Sequence, residues 1–162
     1  MVLNKLRRGR PDRVRSLDPP TIPWANSDHG KPRVLLECPP EKSPSIIAEI
    51  LEREGFGVVV CEGPTENARC PLTEGGYCGT VQGVDVVVNL LGEHRAGQPD
   101  VLTALADSGP RPPIVVGELA SGVEPRADIR WISPNVRRSE LISVVRDALT
   151  DELRSRGRRS RP

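Results

Sequence analysis

Aromatic side chains are scarce, at 2% of the 162 residues, and the hydrophobic share is only 36%. A chain of this length and content has room for one domain with one small aliphatic core. Long apolar runs are also missing. The longest, Val84–Leu91, is interrupted by Asp85 and Asn89 and falls far short of the roughly 18–20 residues of a membrane span. No transmembrane helix is expected and no membrane partner. The basic start, Met1–Arg15, is not followed by an apolar stretch of signal-peptide length, so the expected location is the cytoplasm. Four cysteines in that compartment read as reduced thiols or metal ligands, not disulfides. Only two histidines are present. There is no Gly-x-Gly-x-x-Gly after a strand, no Gly-Lys-Ser/Thr phosphate loop and no serine elbow, so the chain is not expected to be an enzyme. A Cys38–His94 pair is conceivable as a nucleophile and base, but nothing in the sequence selects it.

The net charge of +1 hides an uneven distribution. Residues 1–33 hold eight basic and three acidic residues, for +5, and residues 154–162 hold five arginines and no acid. The stretch 34–153 holds ten basic and nineteen acidic residues, for −9. Seventeen prolines and fifteen glycines, many outside any periodic pattern, add a strong loop component. Charge without a hydrophobic face cannot offset the entropy of ordering, so 1–32 and 154–162 are expected to be disordered basic arms around a domain at 33–153. Trp24 is the exception within the first arm and reads as a local anchor onto the body.

The body alternates two periods. Arg33–Cys38, Val58–Cys61, Val84–Leu91, Pro113–Gly117 and Asp128–Ser133 are short runs, mostly rich in valine, leucine and isoleucine, that predict five strands buried on both faces. Ser43-Pro44 predicts an N-cap and a first-turn proline for a helix whose Ile46, Ile47, Ile50 and Leu51 share a face, closed by Gly55. Pro99–Ser108 predicts a second helix. A last one is capped by Asn135 and turns Leu141, Ile142, Val145 and Leu149 to the sheet. Glu62–Gly83 and Glu118–Ala127 carry too much proline and glycine, or too few residues, for full helices, so helices two and four are expected to be stunted or absent. Repeated βα units with right-handed crossovers give an open five-stranded parallel sheet, doubly wound and flavodoxin-like.

Five βα units over 33–153, ending in Ser133-Pro134 before the last helix, resemble the receiver domain of bacterial response regulators. The resemblance covers about three quarters of the chain. It implies a Mg²⁺-binding acidic end to strand one, a phosphorylated aspartate ending strand three, a Ser or Thr ending strand four and a Lys-Pro pair after strand five. The corresponding positions here are Glu37-Cys38, Asn89, Gly117 and Ser133-Pro134, of which only Glu37 and Pro134 match. An amide cannot form an acyl phosphate, one carboxylate is a poor Mg²⁺ site, and the lysine that answers the phosphate charge is gone. What the resemblance implies is therefore a degenerate receiver, a phosphorylation-independent regulatory module with a protein partner or a second copy of itself.

Two further readings stay open. Cys38 and Cys61 end strands one and two, Cys70 and Cys78 lie in the loop that follows, and His94 follows strand three. All belong to the carboxyl edge, where doubly wound folds bind ligands. Four thiols with an imidazole there would suit Zn²⁺ or an iron–sulfur cluster, although no Cys-x₂-Cys knuckle is present. The alternatives are a thiol switch or plain structural cysteines, and His94 alone reads as a solvated loop residue. In the first arm, Arg8-Gly9-Arg10-Pro11 resembles the core of an AT-hook, which implies contact with an A·T minor groove of DNA through two arginines. Arms folded back on the acidic body are the simpler alternative.

Overall fold

The computed structural model describes residues 30–65, 69–92, 100–109, 111–117, 129–133 and 135–159, with side chains described as far as 154. Five strands run β1 (Arg33–Glu37), β2 (Gly57–Cys61), β3 (Val86–Asn89), β4 (Ile114–Val116) and β5 (Ile129–Trp131). All pairings are parallel, in the order β2-β1-β3-β4-β5. This is the flavodoxin-like α/β sheet expected from the alternating pattern. The helices are α1 (Pro44–Arg53), α2 (Gly79–Gln82), α3 (Val101–Asp107) and α4 (Arg138–Arg159).

Strand alternation divides the core in two. Val34, Leu36, Val86, Val88 and Val115 pack on one face with Leu51 of α1 and Leu141, Ile142 and Val145 of α4. Leu35, Val87, Ile114, Val116 and Ile129 pack on the other with Leu72, Val81 of α2, and Leu102 and Leu105 of α3. Each fully buried Val or Leu contributes about 1.5–3 kcal/mol of transfer free energy, so these aliphatic strands carry the stability that few aromatics supply here. At the amino edge Asp85 locks β1 to β3. Its Oδ2 accepts from the Arg33 backbone N–H at 2.8 Å while its own N–H donates to the Arg33 carbonyl at 2.9 Å.

Several local expectations need correcting. Ser43 sits in the left-handed region at φ 55° and its side chain makes no cap bond, so α1 starts on the fixed φ of Pro44 alone. Ile46 is 58% exposed, whereas Ala48 and Leu51 are buried with Ile47 and Ile50 packed partly against them. The inward stripe of α1 is therefore set one residue further round. Gly55 does close the helix, at φ +92°. Asn135 does not cap α4. The chain makes another turn, in which Val136 N–H donates to Ser133 O, and α4 opens at Arg138. That helix then continues to Arg159, past the boundary expected at 153. Its alternation of arginine with acidic and aliphatic residues holds good helix formers through most of the last turns. The β2–β3 connection is stunted as expected, to a 3₁₀ turn at Pro71–Glu74 and the four residues of α2. The β4–β5 connection lies outside the described residues.

Candidate functional site

At the carboxyl edge the register aligns Cys61, Glu37, Asn89 and Val116 in one row across β2, β1, β3 and β4. Neighbours in a parallel row share a face, so Glu37 and Asn89 meet on the α3 side. Each is only 3% exposed, and Asn89 Nδ2 donates to Glu37 Oε2 at 2.6 Å. Burial pushes the Glu37 carboxyl from an ordinary 4.5 up to about 7, against the smaller lowering effect of the Asn89 bond. Near neutrality the site therefore holds a half-protonated acid beside a neutral amide.

Leu90, the next residue after Asn89, leaves β3 on the opposite face and packs with the α1–α4 half of the core. Leu90, held by its N–H to the Glu37 carbonyl at 2.7 Å, projects toward Gly117. A Cβ on Gly117 would lie 2.3 Å from Leu90 Cδ2. A Ser or Thr at that strand end has no room unless Leu90 swings away. Leu91 lies in the same way over Gly63, whose φ of +84° and 2.8 Å Cβ-to-Leu91 approach both favour glycine. Lys42, from the 3₁₀ turn after β1, donates Nζ to the Leu90 carbonyl at 3.0 Å. Leu90, Leu91 and Lys42 are not singled out as site residues by the sequence pattern.

The remaining expected site residues divide. Gly117 joins the row through its N–H to the Asn89 carbonyl at 3.0 Å. Ser133 is exposed and accepts from the Asn135 N–H at 3.4 Å, so it stays within its own loop. Pro134, His94 and the Arg8-Gly9-Arg10-Pro11 segment lie outside the described residues, as does Trp24. Cys61, Cys70 and Cys78 all pack against the α3 half of the core. Cys38 is fully buried in the other half, among the residues under α1 and α4. A site ligated by all four thiols is overturned by parity. Cys61 pairs with Glu37, and Cys38 is the next residue, so its side chain leaves from the opposite face. Among the described residues no group of three or more His, Cys, Asp or Glu side chains is arranged to hold a metal ion.

The donor set does not fit the Mg²⁺ of a receiver. It offers one buried carboxyl, already bonded by Asn89 and holding its proton up to about pH 7. Mg²⁺ wants near-octahedral oxygen ligands, and Glu37 is the one acidic side chain in the described row of Cys61, Glu37, Asn89 and Val116.

No family model and no curated protein matches the sequence. Solved structures do match in fold. A response regulator receiver domain protein from Bacillus halodurans is similar at 15% identity over 73% of this chain and 97% of its own, with a TM-score of 0.53. A chain in which a yeast Spc42 trimeric coiled coil is fused to another protein is similar at 20% identity over 81% and 84%, with a TM-score of 0.52. The receiver domain of the hybrid histidine kinase CckA is similar at 17% identity over 72% and 98%, at 0.49. The chain thus has the five-stranded α/β fold of receiver domains, at identities that speak for the fold alone. No described helix is long and apolar enough to cross a membrane.

Proposed function

We propose that this chain is a degenerate receiver, a regulatory interaction module that works without phosphorylation and without catalysis, through a protein partner or a second copy of itself. The observation that carries the reading is the buried Glu37–Asn89 pair, beside a Gly117 where a Ser or Thr side chain has no room unless Leu90 moves. Phosphoryl transfer needs a carboxylate nucleophile, a divalent cation and a cation opposite the phosphate. Here the residue aligned with the end of β3 is an amide, whose nitrogen is committed to a buried acid. The likeness in fold to the Bacillus receiver supports the regulatory class, and an amide bonded to Glu37 where phosphoryl transfer needs a free carboxylate supports a surface-based role in place of a chemical one.

Incubation of the purified chain with acetyl phosphate and Mg²⁺, followed by intact mass, is expected to show no added phosphoryl group. A stable adduct mapped to an aspartate at the carboxyl edge overturns the reading. Light scattering on the same sample distinguishes the second copy from a foreign partner: a mass of twice 17.7 kDa is the signature of the former.

A further inference from the structure

Besides the Glu37–Asn89 pair, three thiols lie on the α3 side of the sheet. Cys61 ends β2, Cys70 immediately precedes the 3₁₀ turn, and Cys78 immediately precedes α2. All three pack against one half of the core and all are partly exposed and unbridged. Between Cys70 and Cys78 the chain reverses. Gly75 takes φ +72°, and the Gly76 N–H donates to the Pro71 carbonyl at 2.8 Å. A Cβ on Gly76 would lie 2.9 Å from that same backbone oxygen, so only glycine permits so close a return. The bond joins the residue after Cys70 to the one two before Cys78, which brings the two cysteines to the open end of the reversal. Tyr77, 65% exposed, marks this end as open to solvent.

We propose that Cys70 and Cys78 are a thiol modification site that closes to a disulfide under peroxide, stapling the β2–β3 connection into its reversed form. The step balances as two reactions. One thiol, as thiolate, attacks a peroxide oxygen, gaining a hydroxyl as sulfenic acid while one water leaves. The second thiol attacks that sulfur, the S–S bond forms, and a second water departs. Two thiols lose two electrons and two protons in all, and one hydrogen peroxide becomes two waters. Cys61 is the least reactive of its neighbours. Burial, with further contributions from Glu37, Cys70 and Cys78, holds its thiol up at about 11, so almost none is thiolate at neutral pH. Cys70 is also raised by burial, opposed by the Leu72 and Thr73 amides, so its oxidation is slow without excess peroxide. The connection has a reason to use a covalent staple, since among its described residues the buried apolar anchors are Leu72, Val81 and Val84.

Trypsin separates the participants. Cys38 falls in the peptide 34–42, Cys61 in 54–69, and Cys70 with Cys78 in 70–95. The reduced full chain is treated with hydrogen peroxide under native conditions, alkylated in denaturant and digested without reduction. The expected result is a 70–95 peptide lighter by two hydrogens and free of alkyl groups, while 34–42 and 54–69 each carry one. Cys70→Ser and Cys78→Ser each abolish the mass loss, and Cys61→Ser leaves it intact. A 70–95 peptide that takes two alkyl groups at every peroxide level, or one joined to 54–69, overturns the proposal. Circular dichroism of each variant before oxidation confirms that loss of the bridge is not loss of the fold.

Discussion

A carboxylic acid buried to 3% exposure with an amide as its described side-chain partner makes folding sensitive to pH in a direction opposite to a salt-bridged acid. The Glu37 carboxyl is raised from 4.5 to about 7 on folding. Below about 4.5 it is neutral in both the folded and unfolded chain, and its contribution to stability is fully present. Between these values the unfolded chain releases the proton first, so stability falls as pH rises through about 7 and then levels off. The upward shift corresponds to roughly 3 kcal/mol at most. Glu37→Gln keeps the shape of the neutral acid and can still accept from Asn89. Urea unfolding is expected to show the variant close to the parent at pH 5 and more stable than it at pH 8; equal stabilities at both values would mean the parent acid is not desolvated. The pairing itself was legible only in part. Glu37 and Asn89 were each assigned to strand ends from the sequence, but their contact depends on a register that places them in one row. Cys38 shows the same limit from the other side. A strand end tells which edge a residue reaches, whereas its face follows from counting against a partner strand, and that partner is not in the local sequence.

At the scale of elements, the strands were legible because valine and leucine runs buried on both faces leave little other choice. The helix details were not. In α1 the five apolar positions of Ile46–Leu51 fit more than one inward stripe, and the tertiary contact with β2 and α4 selects the one holding Ala48 and Leu51. Where α1 ends, its junction with α4 turns from apolar to polar, which the pattern does not show. Glu54, at the end of α1, accepts from Arg138 at 3.0 Å and from Arg146 at 2.9 Å, two turns apart on α4. These side chains line a cleft together with Ile142 and Ser143. Both pairs are partly exposed, with Glu54 at 28%, so their strength is modest and screened by salt. Glu54→Ala is expected to lower unfolding stability by about 0.5–1 kcal/mol in dilute buffer. The difference should shrink in 1 M NaCl, and a loss that is the same at both salt levels would assign Glu54 a packing role instead.

On the scale of the whole molecule the dominant fact is the separation of charge: +5 over residues 1–33, −9 over 34–153 and five arginines after that. What the basic ends can reach depends on whether they are free or neutralised by the acidic body. The two states respond oppositely to salt. Ends drawn onto the body are released as the Debye length falls from about 30 Å at 0.01 M to about 3 Å at 1 M, so the chain expands. Ends that repel one another and remain free contract slightly over the same range as their like charges are screened. The imbalance of a strongly acidic centre between basic ends favours the first. Small-angle scattering of the full chain is therefore expected to give a radius of gyration that grows between 10 mM and 1 M NaCl, at a concentration where light scattering shows a constant mass. If the radius is unchanged or falls, the ends are free in dilute buffer. An A·T-rich duplex then meets Arg8 and Arg10 without first displacing the acidic body.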